Sequence, residues 1–309
     1  MLTIEKTSTT LFVIPTEGIT IAEADLKVIE EIIDLVGAAV PIGASSLDDL
    51  LKTLNRLNRQ DILSDLIAEL SAIKNQYQLD ANLPYQRHSA NTAGRDFVVG
   101  DIHGQLEAFE AALRRVDFDK TVDRCFSVGD LIDRGADSLA CLELVFENYF
   151  HAVRGNHECM ALHATSKEAG PDAYDHWLQN GGDWSLGENA MEVAILLREA
   201  GRYLPLARDI TLPDGTRVGI CHAEPPRDWD WVQFSPLAHV ERLTWGRSRF
   251  SGKGDTRDVK NIDAVVVGHT IKDDVTWQGN VVDIDTGAFT PNGQLTLIEL
   301  STLLATKPT

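Results

Sequence analysis

The chain has 309 residues, 43% of them hydrophobic and 24% charged. That supports one large domain plus a smaller module, and it excludes a disulfide-stapled miniprotein, a fibrous chain and a wholly disordered one. The 28 Lys and Arg stand against 47 Asp and Glu, a formal net charge of -19 that repels nucleic-acid phosphates and anionic headgroups. An anionic substrate must therefore be drawn by something local, an arginine cluster or bound metal cations.

Taken in chain order, Thr10 to Ile14 reads as a short strand. Thr20-x-x-Glu23 is a capping box ahead of Leu26, Ile29, Ile32, Ile33 and Val36, whose spacing predicts an amphipathic helix. The break VPIGASS, with Pro41 and Gly43, leads to apolar positions from Leu47 to Ile73 that predict one or two more helices. Residues 1–79 are thus expected to form a mainly helical module. The polar, turn-rich stretch 80–94 is read as a linker, residues 95–302 as a second, larger domain, and 303–309 as a tail. The helical module is either a packing extension or a docking or oligomerisation module, since the apolar stripe of residues 47–73 needs a partner surface.

The longest uncharged apolar run, Leu35 to Ala44, is far shorter than the roughly 18 residues a membrane span requires. The first residues lack the basic segment and apolar stretch of a secretion signal. Cys125, Cys141, Cys159 and Cys221 form no C-x-x-C pair and fit a reducing compartment, so a cytoplasmic protein without membrane or nucleic-acid partners is expected.

From Arg95 onward, short β-rich runs alternate with helical stretches, the pattern of an α/β fold. The runs are FVV (97–99), RCFSV (124–128), HAV (151–153), RVGIC (217–221), AVVV (264–267), VVDI (281–284) and LTLIEL (295–300). Active sites of open α/β sheets gather at the carboxyl ends of strands. Five of these ends run into chemistry: Gly100-Asp101-Ile102-His103-Gly104, then Gly129-Asp130-Leu131-Ile132-Asp133-Arg134-Gly135, Arg154-Gly155-Asn156-His157-Glu158, His222-Ala223, and Gly268-His269-Thr270. Each contributes a carboxylate, imidazole or amide, mostly beside a glycine that lets the backbone turn and approach closely. Asp, Asn and His together offer hard oxygen and borderline nitrogen ligands, suited to Mn2+, Fe or Zn2+ rather than to an all-oxygen Ca2+ site. A cage for two ions is expected.

The ordered blocks GDIHG, GDLIDRG, RGNHE, CHA and GHT resemble those of the calcineurin-like metallophosphoesterases, specifically the PPP-type protein phosphatases. VRGNHECM, HWLQNGGDW (176–184), ICHAEPP and TWGRSR are most similar to the phage and bacterial branch of that family. The resemblance covers about Arg95 to Leu300 and implies a layered β-sandwich flanked by helices. It implies two divalent ions, Mn2+ first among them. Asp101 and His103 match ligands of the first ion, Asp130 the bridging carboxylate, and Asn156, His222 and His269 ligands of the second. His157 matches the acid beside the leaving group, with Asp133 orienting it. Arg134 and Arg247 match phosphate clamps, and Arg154 stands near enough in sequence to assist or to serve as a structural ion-pair partner. Gly246 departs from the branch's pattern, which has an asparagine before the arginine.

A phosphate monoester dianion repels hydroxide, so its hydrolysis needs concentrated positive charge, which two metals held by one carboxylate supply. No serine or cysteine nucleophile elbow is present, and direct attack by a metal-bridging hydroxide is expected over a covalent phosphoenzyme. The substrate implied is a phosphoprotein, on Ser/Thr with Tyr or His as further choices. A diadenosine tetraphosphate hydrolase is the alternative enzyme, although its motifs typically read GNHD and lack the aspartate before the arginine, where this chain has Glu158 and Asp133. A scaffold protein with a vestigial phosphatase domain is the alternative from another class. Trp229, Trp231, Trp245 and Trp277 either line a substrate groove or pack the core and rim.

Overall fold

The computed structural model describes residues 2–6, 11–15, 44–46, 84–167 and 169–308. The helices read from residues 20–36 and 47–73 lie outside the described residues. The chain divides into two compact units, Met1–Ala81 and Asn82–Thr309. In the first, β1 (Leu2–Lys6) pairs antiparallel with both β2 (Leu11–Pro15) and β3 (Ala44–Ser46). The strand expected at Thr10 to Ile14 is thus β2, whereas β3 falls in the stretch read as a break.

The second unit is built on two sheets. The four-stranded sheet runs β13-β5-β6-β7, from β5 (Asp96–Val99), β6 (Arg124–Ser127), β7 (Phe150–Ala152) and β13 (Leu297–Glu299). The six-stranded sheet runs β11-β12-β10-β9-β8-β4, from β4 (Tyr85–His88), β8 (Ala207–Thr211), β9 (Arg217–Cys221), β10 (Ala264–Val267), β11 (Thr276–Gln278) and β12 (Val281–Asp283). Strands β5, β6 and β7 are parallel to one another, as are β9, β10 and β12. Strands covered on both faces read as continuous apolar runs, which is why AVVV is buried throughout.

Alternation along the strands then sorts side chains into layers. Val98 and Phe126 of one sheet meet Ile210, Val218, Ile220, Val266 and Val282 of the other in a shared core. Their strand neighbours point outward. Val99, Cys125 and Ala152 pack under α1 (Leu106–Arg115), α2 (Ser138–Glu143), α3 (Asn156–Ala164), α4 (Pro171–Gln179) and α5 (Ala190–Ala200). On the far side Cys221, Val265, Val267 and Val281 pack under α6 (Trp229–Phe234) and α7 (Val240–Trp245). The result is helices, sheet, sheet, helices, the layered sandwich expected.

Three stretches differ from the sequence reading. Within the stretch read as a linker, Tyr85–His88 is an edge strand parallel to β8. Its side chains are polar, so no apolar alternation marks it; they are fixed instead by remote partners. Tyr85 Oη donates to Asp209 Oδ2 at 2.8 Å, and Arg208 Nη1 donates to Gln86 Oε1 at 2.6 Å. Polar side chains are at home on a sheet edge. Strand β8 escaped detection for a related reason: Arg208 and Asp209 are 4% and 2% exposed, and buried charges break the apolar pattern. At the other end, residues 303–305 of the stretch read as a tail belong to α8 (Leu300–Ala305). Its Leu300 and Leu303, three apart on one face, are buried against the inter-sheet core.

No helix among the described residues is long and apolar enough to cross a membrane. Of the four tryptophans, Trp229 is fully buried in the core, Trp277 packs on the inter-sheet cluster, and Trp231 and Trp245 are 51% and 40% exposed.

Candidate metal centre

The chain emerges from β5, β6, β7, β9 and β10 at one edge of the sandwich, and each emerging loop must turn at once. Among the described residues, His103, Asp130, Asp133, Arg134 and His269 all have positive φ, between 46° and 74°. Left-handed backbone costs a non-glycine residue roughly 1–2 kcal/mol, and strain of this kind concentrates at functional sites. Glycines relieve crowding where two loops touch: a Cβ on Gly155 would strike Asp130 Oδ1, and one on Gly268 would strike Asp101 Oδ1.

Asp101, His103, Asp130, Asn156, His222 and His269 are brought together, each at most 5% exposed. Two groups of side chains have ligand atoms within 4.8 Å of one another: His103, Asp130 and His157, and Asp130, His222 and His269. Asp130 is common to both. Its Oδ2 lies 3.6 Å from His103 Nε2 and 3.4 Å from His222 Nε2, while Oδ1 accepts the His157 amide at 3.0 Å. Asp101 belongs to neither group; its carboxylate accepts the His269 amide at 3.1 and 3.2 Å.

The imidazoles are set by their outer nitrogens. His103 Nδ1 faces the Ile132 carbonyl at 2.9 Å, and His222 Nδ1 faces the Val128 carbonyl at 2.8 Å. A carbonyl only accepts, so each Nδ1 carries the proton and each Nε2 turns a lone pair inward. Around His222 Nε2 stand Asn156 Oδ1 at 2.9 Å, His269 Nδ1 at 3.1 Å and Asp130 Oδ2. Oxygen and nitrogen lone pairs thus converge in a buried space.

The electrostatics mark the same deficit of positive charge. Burial, then the charges of Asp285 and Asp130, push Asp101 well above the usual carboxylate range. Burial alone would raise Asp130 too, but the imidazoles of His222, His157 and His103 hold it well below. Burial disfavours a proton on His222, yet Asp130 outweighs burial and raises its pKa. His103 and His269 are pushed by burial down to about 3 and about 2. A buried cluster in which the Asp130 charge outweighs the burial of His222 is suited to a cation, and this donor set fits divalent metal.

His157, the second residue of α3, has its Nδ1 2.7 Å from Asp133 Oδ2. Arg134 spans the two imidazoles, with Nη1 3.1 Å from His103 Nε2 and Nη2 3.1 Å from His157 Nε2. An arginine only donates, so both Nε2 atoms accept here. Arg134 and Arg247 are exposed at the rim, and Arg247 Nη1 donates to the His269 carbonyl at 3.1 Å. Arg154 is directed elsewhere, its Nη2 donating to the Gly201 carbonyl at 2.6 Å.

Sequence reasoning assigned no role to Glu158, although it stands in the RGNHE block. Its buried carboxylate accepts the amides of Gly155 and Leu131 at 2.8 Å and of Asp130 at 3.0 Å, joining the second and third loops. Burial and the Asp130 charge push its carboxyl up to about 6. Glu158→Ala leaves these amides unsatisfied, at about 1–3 kcal/mol for each that stays dry. The expected result is a Tm lower by roughly 6–12 °C in a thermal melt of metal-free protein, from a loss of about 3 kcal/mol. Phe289 was unmarked as well. Its ring lies 4.2 Å from the Arg134 guanidinium carbon and 4.9 Å from the His103 ring. No sequence signal distinguishes it from an ordinary loop aromatic.

This site, on this sandwich, defines a phosphoesterase. The family model for calcineurin-like phosphoesterases matches residues 97–273, and the chain belongs to that family. The chain is 34% identical over 221 residues to Serine/threonine-protein phosphatase 2 of Escherichia coli (strain K12), covering 70% of this chain and 97% of that protein. It is 38% identical over 219 residues to Serine/threonine-protein phosphatase 1 of Salmonella typhimurium, covering 70% and 96%. A symmetrical bis(5'-nucleosyl)-tetraphosphatase of Cellvibrio japonicus is 41% identical over 68 residues, only 21% of this chain and 25% of that one. The family works with a pair of divalent ions, and the two ligand groups sharing Asp130 are this chain's candidates to hold them.

Proposed function

We propose that this chain is a Mn2+-dependent protein phosphatase acting on phosphoseryl and phosphothreonyl side chains. One observation carries the reading: a single buried carboxylate, Asp130, is common to two ligand groups, with the His157–Asp133 pair and the Arg134 guanidinium beside it. Asp101, His103 and Asp130 would hold one ion, and Asp130, Asn156, His222 and His269 the other. Bound there, the ions supply Lewis acidity toward the phosphoryl oxygens and lower the pKa of coordinated water.

The remaining work falls to the chain's own side chains. Arg134 and Arg247, exposed beside the cage, offer guanidinium forks to phosphoryl oxygens that outcompete the field of an acidic surface. Arg154, bonded to Gly201, braces the loop after α5. His157, its Nδ1 proton held by Asp133, presents Nε2 to the departing oxygen. Protonated there, it delivers the proton that a seryl or threonyl alkoxide needs, and Asp133 balances the imidazolium. Similarity over nearly the full length of two serine/threonine phosphatases, against a quarter of a dinucleotide hydrolase, favours this substrate class over dinucleotides.

The test is a panel of phosphoseryl, phosphothreonyl, phosphotyrosyl and phosphohistidyl peptides beside diadenosine tetraphosphate, assayed after chelation and reloading with Mn2+, Zn2+ or Fe2+. Phosphoseryl and phosphothreonyl peptides with Mn2+ should turn over fastest, and chelated protein should be inactive. A higher kcat/KM on the dinucleotide would overturn the assignment.

A further inference from the structure

Asp133 is fully buried, and a buried carboxylate needs hydrogen bonds or a cation to stay charged. Its partners are two tryptophans. Trp177 Nε1 lies 3.0 Å from Oδ1 and 3.1 Å from Oδ2, and Trp184 Nε1 lies 2.8 Å from Oδ1. An indole N–H only donates, so both carboxylate oxygens are acceptors, and the 2.7 Å contact from His157 Nδ1 to Oδ2 has its proton on the histidine.

From this geometry we infer that Trp177 and Trp184 are positioning residues for proton delivery by His157, acting through Asp133. The inference rests on the hydrolytic reading above and deepens it. Core packing alone does not explain the arrangement, because two indoles from different elements aim at one carboxylate. Trp177 lies on α4 and Trp184 on a 3-10 turn, Gly182–Gly187; their rings meet edge to face at 5.8 Å.

The link between them is built for the purpose. Gly181 has φ 102° and accepts the Arg134 amide at 2.9 Å through its carbonyl. A Cβ on Gly182 would stand 2.6 Å from Trp177 Nε1. The segment 176–184 therefore grips Asp133 by its side chains and Arg134 by its backbone, fixing neighbours that serve the leaving oxygen and the phosphoryl oxygens respectively. Removing an indole donor frees the carboxylate to turn and lets His157 lose its aim.

The experiment is Trp184→Phe, which keeps a ring and deletes the donor, with Trp177→Phe as a second variant. Turnover of an alkyl phosphate, whose leaving group needs a proton, is compared with that of p-nitrophenyl phosphate, whose leaving group needs little. Trp184→Phe should lower kcat on the alkyl ester about tenfold and on the aryl ester by less than about threefold, a fraction of what a general acid is worth. In a His157→Asn background the same substitution should change neither. Equal losses on both esters, or an undiminished loss in the His157→Asn background, would overturn the inference. Metal content by elemental analysis should stay at wild type, and the His157 Nδ1 proton resonance should shift in either tryptophan variant. An unmoved resonance overturns the clamp even should wild type hydrolyse neither ester, an outcome that instead defeats the hydrolytic reading.

Discussion

Asp130→Asn should abolish metal-dependent phosphatase activity and lower the metal content. Both candidate ligand groups use this carboxylate, and its Oδ2 lies within 3.6 Å of His103 Nε2 and of His222 Nε2. The amide that replaces it is nearly isosteric, so the fold should survive, but it is neutral and a far weaker ligand. Without the shared negative charge, two dications would repel across a short gap in a buried space. Elemental analysis after dialysis against Mn2+ is the direct check. Two ions retained at wild-type occupancy would remove Asp130 from the bridging role.

His157→Asn should behave differently. Turnover of alkyl phosphates is expected to fall about 10²–10⁴-fold, the worth of a positioned general acid, with a smaller loss on p-nitrophenyl phosphate. Both ions should remain. The metal measurement matters because His157 stands in one of the two ligand groups, with Nε2 3.9 Å from Asp130 Oδ2. Its Nδ1 is committed to Asp133, and its Nε2 faces Arg134 at 3.1 Å. Loss of one ion in His157→Asn would make it a ligand rather than an acid, and equal losses on the two esters would remove the acid role.

The two variants together separate holding metal from moving a proton. That separation follows from how the loops are built. The His157 amide donates to Asp130 Oδ1, and Glu158 ties their loops together, yet Asp130 Oδ2 faces His103 and His222 while His157 Nδ1 faces Asp133. Arg134 spans His103 and His157.

Much of this was legible from residues alone. AVVV and RVGIC appear as β10 and β9 with the boundaries read from the sequence, because strands buried on both faces carry continuous apolar runs, VGIC in the second case. The ligand blocks were legible for a related reason. A glycine and a short polar residue directly after a buried strand are wasteful unless the turn itself carries chemistry.

What escaped was held by remote partners. Strand β4 has no apolar period; it exists because Asp209 and Arg208, more than a hundred residues away, accept and donate to its side chains. Trp177 and Trp184 lay inside a quoted motif, but nothing in their spacing says that both indoles reach Asp133, which is 44 and 51 residues distant.

The sequence by itself determined the α/β layering and marked the residues that line the candidate two-metal site, because residue type and position after a strand depend only on local order. Tertiary structure alone decided where those residues stand relative to one another. It placed Asp130 between two imidazole sets, sent Arg154 to a backbone carbonyl while Arg134 and Arg247 stayed at the rim, and closed two tryptophans on Asp133. Each of these is a matter of distances between loops far apart in the chain that only the packed sandwich brings together.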